Sequence, residues 1–385
     1  MRVVFYSRKF IDFFRVFVKL VFCFFLLTLA ACDRKSDKID PHNGVFVKIA
    51  QYDENTGIHL QSVRLTGVTD LIHLKGENVQ FQYLPRINEA KIFTGRDVQI
   101  QVMENRHHEF IAENEFSLGL LTSYWHFDQL IKQLQNLGFQ NLIQLPIKVG
   151  VVHNQIEGNM THNNASYIPD YDSFLIQPYD MKATPILLNS GVIAHEFFHM
   201  LFQKLFHQKS KLKIQLLSAL SDPRFLSNST KDMNLVYHSI LLRSIEEGLA
   251  DFWGWSYSKD EQFVYRSIPV QAGKDRSLAD DQISELKSKL DLEFLTISYI
   301  SQKNEVDQKY LLSEVYRIGS RYARQLKLFS VQFGIERTQL ALLRALLKLQ
   351  ETANQLNEDS MLEPDLILYL TEKEIQQISE TVVGK

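Results

Sequence analysis

Cysteine is nearly absent: the chain has two in 385 residues, Cys23 and Cys32, and both lie close to its start. Whatever follows them has no disulfide to staple it and no thiolate to bind zinc, so any metal must be held by His, Asp or Glu. An excess of one charge is missing too. The formal balance of −3 leaves no basic footprint for nucleic acid and no acidic tail. Internal repeats are lacking, and the only low-complexity stretch is short. What the chain does have is 45% hydrophobic residues and 11% aromatics, ample for a core of one large domain or two ordinary ones.

The first 32 residues stand apart from the rest. Arg2, Arg8, Lys9, Arg15 and Lys19 form a basic leader, followed by an apolar run of 11 residues, Val21 to Ala31, that ends in small side chains. This is the layout of a secretory signal, and the run is too short for a comfortable membrane span. Leu29-Ala30-Ala31-Cys32 resembles the bacterial lipobox, which implies cleavage after residue 31 and lipidation of Cys32. An uncleaved N-terminal anchor is the alternative, and both readings place the rest of the chain outside the cytoplasm and tethered to a membrane. Loss of residues 1–31 removes five basic residues and Asp12, so 42 and 45 become 37 and 44, a balance of −7. Acyl chains rather than charge would then hold the protein to lipid.

Residues 32–44 are polar and broken by Pro41 and Gly44, as a tether is. Over 45–116, stretches such as "GVFVKIAQY" and "VQFQYL" alternate with a period of two, which predicts a small β-rich N-terminal domain. Residues 117–207 read as a mixed α/β unit, with a helix in "SYWHFDQLIKQLQNLGF" and a buried strand in "LPIKVGVV". From 208 to 385 the pattern is almost wholly helical. The fold class expected is therefore α+β.

Within "GVIAHEFFHMLFQKLFH" stands His195-Glu196-Phe197-Phe198-His199. On a helix, positions i and i+4 share a face, so the two imidazoles can converge on one ion while Glu196 reaches a water beside it. The bland alternative is a helix with its phenylalanines in the core and its polar residues in water. Against that stands "SIEEGLAD", which offers Glu247 and Asp251, again four apart on a predicted helix. Hydrolytic zinc wants three protein ligands and one open position. Glu247 can be the third ligand, and Asp251 can accept the outer ring proton of a ligating histidine.

H-E-x-x-H followed by E-x-x-x-D resembles the pattern of the gluzincin metallopeptidases, the thermolysin-like superfamily, over roughly residues 118–330. The resemblance implies a zincin-like catalytic domain: a small mixed sheet, an active-site helix and a mainly helical C-terminal half. It implies Zn2+ held by His195, His199 and Glu247, with Glu196 as the base and Asp251 supporting His195. The 47-residue gap between His199 and Glu247 is long for the family and points to an added helix. "HNNASYIP" resembles the family's edge strand, which implies that Asn164 by side chain and Ala165 by main chain bind a peptide or protein substrate. Where thermolysin-like members carry a histidine to stabilise the oxyanion, this chain has Val315 and Tyr316. Tyr316 is the first candidate for that role and Tyr322 the second.

Other matches carry less. "QVMEN" lacks the Gly-Ala of an aminopeptidase motif, and "RHHEF" has Ala112 in place of a second histidine. His207 and His238 read as ordinary helix residues, and Asn228-Ser229-Thr230 is a weak glycosylation match. The function expected is zinc-dependent endopeptidase activity outside the cytoplasm, membrane-anchored through Cys32. A lipoprotein that keeps the zinc scaffold without catalysis, as a binding or assembly module, is the alternative.

Overall fold

Two sheets organise the N-terminal half in a computed structural model. It describes residues 44–53, 57–87, 93–152, 164–177, 184–212, 230–268, 276–279, 292–293, 295–297, 306–357 and 360–383. The lipobox with Cys32, the tether as far as residue 43 and Asn228 lie outside the described residues. Among the described residues, no helix is long and apolar enough to cross a membrane.

Strands β1 (Val45–Asp53) and β2 (Gly57–Leu65) form an antiparallel hairpin, which β8 (Glu109–Ala112) and β7 (Val102–Glu104) extend in the order β2-β1-β8-β7. The second sheet runs β10 (Ala165–Ile168), β11 (Ser173–Ile176), β9 (Ile147–Val151), β5 (Val79–Ile87), β4 (Lys75–Gly76), β3 (Val68–Asp70). A further strand, β6 (Phe93–Asp97), pairs with β5 off this path. The chain is thus of mixed α+β class, with strands early and helices late.

One expectation needs correcting. Residues 45–116 do not close on themselves as a separate β domain, because β5 pairs in parallel with β9 from Val79↔Ile147 to Tyr83↔Val151. Alternation of side chains marks where strands are, but it does not say which sheet they join. The division at 116/117 runs through the middle of the larger sheet.

Helix α1 (Glu115–Asn136) starts where the Asn114 side chain accepts a hydrogen bond from the Ser117 N–H. Its Leu120, Tyr124, Phe127 and Ile131 are buried against the sheets, with Phe81 in reach of both Tyr124 and Phe127. Next comes α2 (Ser190–Phe202), apolar nearly all round and therefore central, its first turn capped by Asn189. The amide of Asn189 also donates to the Phe263 carbonyl and the Ser267 hydroxyl, both at 2.7 Å, which pins the helix start. The C-terminal half is built on α3 (Thr230–Ser258), α4 (Phe263–Ser267), α5 (Val306–Phe333), α6 (Ile335–Gln355) and α7 (Leu366–Val383). Helix α3 packs on α2 along one side and on α5 along the other.

Candidate metal centre

His195 and His199 lie one turn apart on α2, and α2 is held rigidly because Phe197 and Phe198 are wholly buried. Phe197 stacks on Phe174 of β11, and Phe198 meets Trp253 of α3 with ring centroids 5.4 Å apart. The residues between the histidines thus fix the angle at which both imidazoles leave the helix. Facing them is α3, whose Glu247 is 2% exposed.

The three ligating atoms form a small triangle. Nε2 of His195 is 3.0 Å from Nε2 of His199, and Oε2 of Glu247 is 3.5 and 3.9 Å from them. Tetrahedral zinc with bonds of about 2.0–2.1 Å has ligand-to-ligand edges of about 3.3 Å, so these spacings fit one four-coordinate ion. The histidine protons agree with that. Nδ1 of His195 faces Oδ1 of Asp251 at 3.0 Å, and Nδ1 of His199 faces Oε1 of Glu246 at 2.8 Å. With both outer nitrogens directed at carboxylates, the two Nε2 atoms face each other across 3.0 Å and can share one cation between them. These residues can therefore hold a metal ion.

Two arginines, Arg276 buried and Arg243 partly buried, stabilise this concentration of acids. Nη2 of Arg243 lies 2.5 Å from Oε1 of Glu247, which leaves Oε2 to face the histidines, and Nη1 lies 3.2 Å from Glu246. Arg276 grips Asp251 with both Nε, at 3.0 Å, and Nη2, at 2.6 Å. The same Nη2 sits 3.3 Å from Nε2 of His195 and 3.4 Å from Oε2 of Glu247. Burial alone would raise the pKa values of Glu246, Glu247 and Asp251, but these arginines and the histidines outweigh it and hold all three carboxyls below their usual range. For His195, burial would favour the neutral ring; the bonds to Asp251 and Glu247 prevail and push it up to about 9.

Glu196 projects to the side, where its Oε2 accepts a hydrogen bond from the Tyr167 N–H at 3.0 Å. Tyr167 belongs to β10, the outermost strand of its sheet. That strand is tied down again at its far side: the Tyr167 hydroxyl donates to Asp172 at 2.7 Å, and Lys204, just beyond α2, donates to the other Asp172 oxygen at 2.6 Å. Ala165 lies on β10 paired with Ile176 of β11, and Asn164 immediately precedes it, its carbonyl accepting from the Gln177 N–H. The structure thus brings His195, Glu196, His199, Glu247 and Asp251 together, with the strand that follows Asn164 alongside Glu196.

Tyr316 lies on α5, under the Arg276 guanidinium, whose carbon is 4.5 Å from the ring centroid. The neighbouring Glu247 carboxylate, with burial, pushes its hydroxyl up to about 12. Tyr322 is excluded from the site, since it is fully buried and its hydroxyl donates to the Pro364 carbonyl. His238 is likewise committed elsewhere, accepting from the Leu362 N–H. "QVMEN" and "RHHEF" fall on β7, β8 and the turn between them, in the other sheet.

Sequence reasoning missed Arg243, Glu246, Arg276, Tyr167, Asp172 and Lys204. The first two were within reach, because Arg243 stands one turn before Glu247 on the same helix and Glu246 is its neighbour. Arg276 and the β10 contacts depend on tertiary folding and leave no local signal. No protein-family model matches this chain, and no curated protein matches it significantly in sequence.

Proposed function

We propose that this protein is a zinc-dependent peptidase of the gluzincin type, a hydrolase anchored outside the cytoplasm through lipidated Cys32. The observation that carries this reading is the meeting of Glu247 with His195 and His199 from a separate helix, with Glu196 against a sheet edge beside them. Zinc suits the two imidazoles and one carboxylate; when bound it supplies Lewis acidity, lowering the pKa of a coordinated water toward about 7. Glu196 would take a proton from the attacking water and pass it to the leaving amine. Its bond from the Tyr167 N–H keeps one oxygen occupied and aims the other. Among the described residues no strand pairs with the outer edge of β10, whose Tyr167 N–H is held by Glu196; an extended peptide joining that edge as an added strand would lay a scissile bond across Glu196. Asn164 and Ala165 would bind that peptide's main chain. Arg276, with Nη2 3.3 Å from Nε2 of His195, and Tyr316, whose ring lies against that guanidinium, are the candidate donors to the oxyanion or an adjacent carbonyl.

Glu196→Gln tests the assignment. The variant should keep its zinc, measured by elemental analysis, while cleavage of casein or of unfolded protein falls by at least a thousand-fold. Undiminished cleavage would remove Glu196 from the chemistry. If the wild-type chain binds zinc yet cleaves nothing, the non-catalytic scaffold becomes the better reading.

A further inference from the structure

The sheet β2-β1-β8-β7 has one face turned inward, where Val47, Ile49, Val63 and Leu65 are buried. Strand register defines what lies on the other face. Phe46 pairs with Arg64, Lys48 with Ser62, Ala50 with Leu60 and Tyr52 with Ile58, and each pair shares a face. Phe46 is also opposite Glu109 on β8, which places Ile111 and its partner Met103 on that same side. Phe46, Ile58, Leu60 and Met103 are 50, 51, 52 and 55% exposed. Four of the eleven large apolar side chains exposed among the described residues therefore share one side of one small sheet, over roughly 20 by 14 Å by strand rise and spacing. Arg64 stands among them, as do Lys48 and Ser62, both bonded to Glu109 of β8, while Ala50 on this side is buried.

We propose that this face lies on the phospholipid bilayer, with Phe46, Ile58, Leu60 and Met103 at the boundary of headgroups and acyl chains. The proposal rests on the anchor at Cys32 and not on the peptidase chemistry. From Cys32 to Val45 the chain has 13 steps, a reach of at most about 45 Å, so β1 is the part of the fold nearest the anchor along the chain. Four apolar side chains bind a bilayer weakly by themselves. A tether of that length makes the contact intramolecular and keeps the local lipid concentration high. Docking would fix the orientation of the whole molecule over the membrane, which acyl chains on a polar tether leave free.

The test uses the full chain, processed and reconstituted into phosphatidylcholine vesicles with and without brominated acyl chains. Leu60→Cys and Met103→Cys would carry an environment-sensitive dye, and Val331→Cys and Tyr369→Cys, exposed on α5 and α7, would serve as controls. Expected are blue-shifted emission and at least two-fold quenching by bromolipid at 60 and 103, with neither at 331 or 369. A chain that does not float with vesicles sinks the anchor and the docking together. A chain that floats while all four dyes report water sinks the docking alone. A blue shift at 60 and 103 without bromolipid quenching means that protein covers the face, and this too overturns the proposal.

Discussion

Replacing Gly248 by alanine sets two effects of known sign against each other. Within a helix the exchange gains about 1 kcal/mol of intrinsic propensity. Here, however, α3 crosses α5 at Gly248 and Gly319, and a Cβ on Gly248 would stand 2.1 Å from the Gly319 carbonyl oxygen, 2.8 Å from its carbon and 3.0 Å from its Cα. All three are backbone atoms, so no rotamer change relieves them and the helices must part by roughly 1 Å, at the upper end of the 1–3 kcal/mol typical of overpacking. The net expectation is destabilisation by about 1–2 kcal/mol. Gly319→Ala should be milder, because its nearest neighbours would be the Ser244 oxygen at 2.9 Å and the Gly248 nitrogen at 3.0 Å. The site should suffer as well, since Glu247 adjoins Gly248 and Tyr316 stands one turn before Gly319. Thermal unfolding in chelator, with zinc competition titrations, would measure both. If Gly248→Ala melts above the wild type, or binds zinc with wild-type affinity, the crossing does not position the third ligand.

Glu247→Ala should weaken zinc binding on the order of a hundred-fold or more, read by chelator competition, while the apo chain still folds. Lys204→Met frees Asp172 and so the Tyr167 hydroxyl; the Lys204–Asp172 bond is partly exposed, so about 1 kcal/mol is at stake. That loosens β10 and should raise KM roughly five-fold with zinc content unchanged, whereas an equal fall in kcat would point to Glu196 itself. His126, buried beside Tyr257, has its pKa lowered by burial from 6.5 to about 3. The unfolded chain therefore binds the extra proton first, and stability present above pH 6.5 drains away as pH falls toward 3, by on the order of 5 kcal/mol. His126→Phe should flatten that slope in denaturation curves.

The parts of the site legible in the sequence were those that a single helix writes down. His195, Glu196 and His199 follow from i,i+4 spacing, as do Glu247 and Asp251, and chemistry alone suggested that the two sets would meet. Long-range geometry was not legible. Arg276 reaches Asp251 and His195 from a segment whose local pattern says nothing of them, and Tyr167 meets Glu196 only because β10 folds back on β11. The same limit explains the misplaced boundary at 116: "VQFQYL" announces a strand, while its parallel partner 68 residues later, Ile147 against Val79, is a matter of tertiary pairing.

The position of β5 bears on how this protein can be handled and matured. A fragment beginning at residue 117 would keep every metal ligand, yet its β9 would lose the neighbour that satisfies its backbone from Ile147 to Val151. The core would lose Val79 and Phe81 with it. Such a fragment would expose a bare hydrophobic ladder and should aggregate rather than activate. A protease that trimmed residues 45–116 would be destroying this molecule, not releasing it.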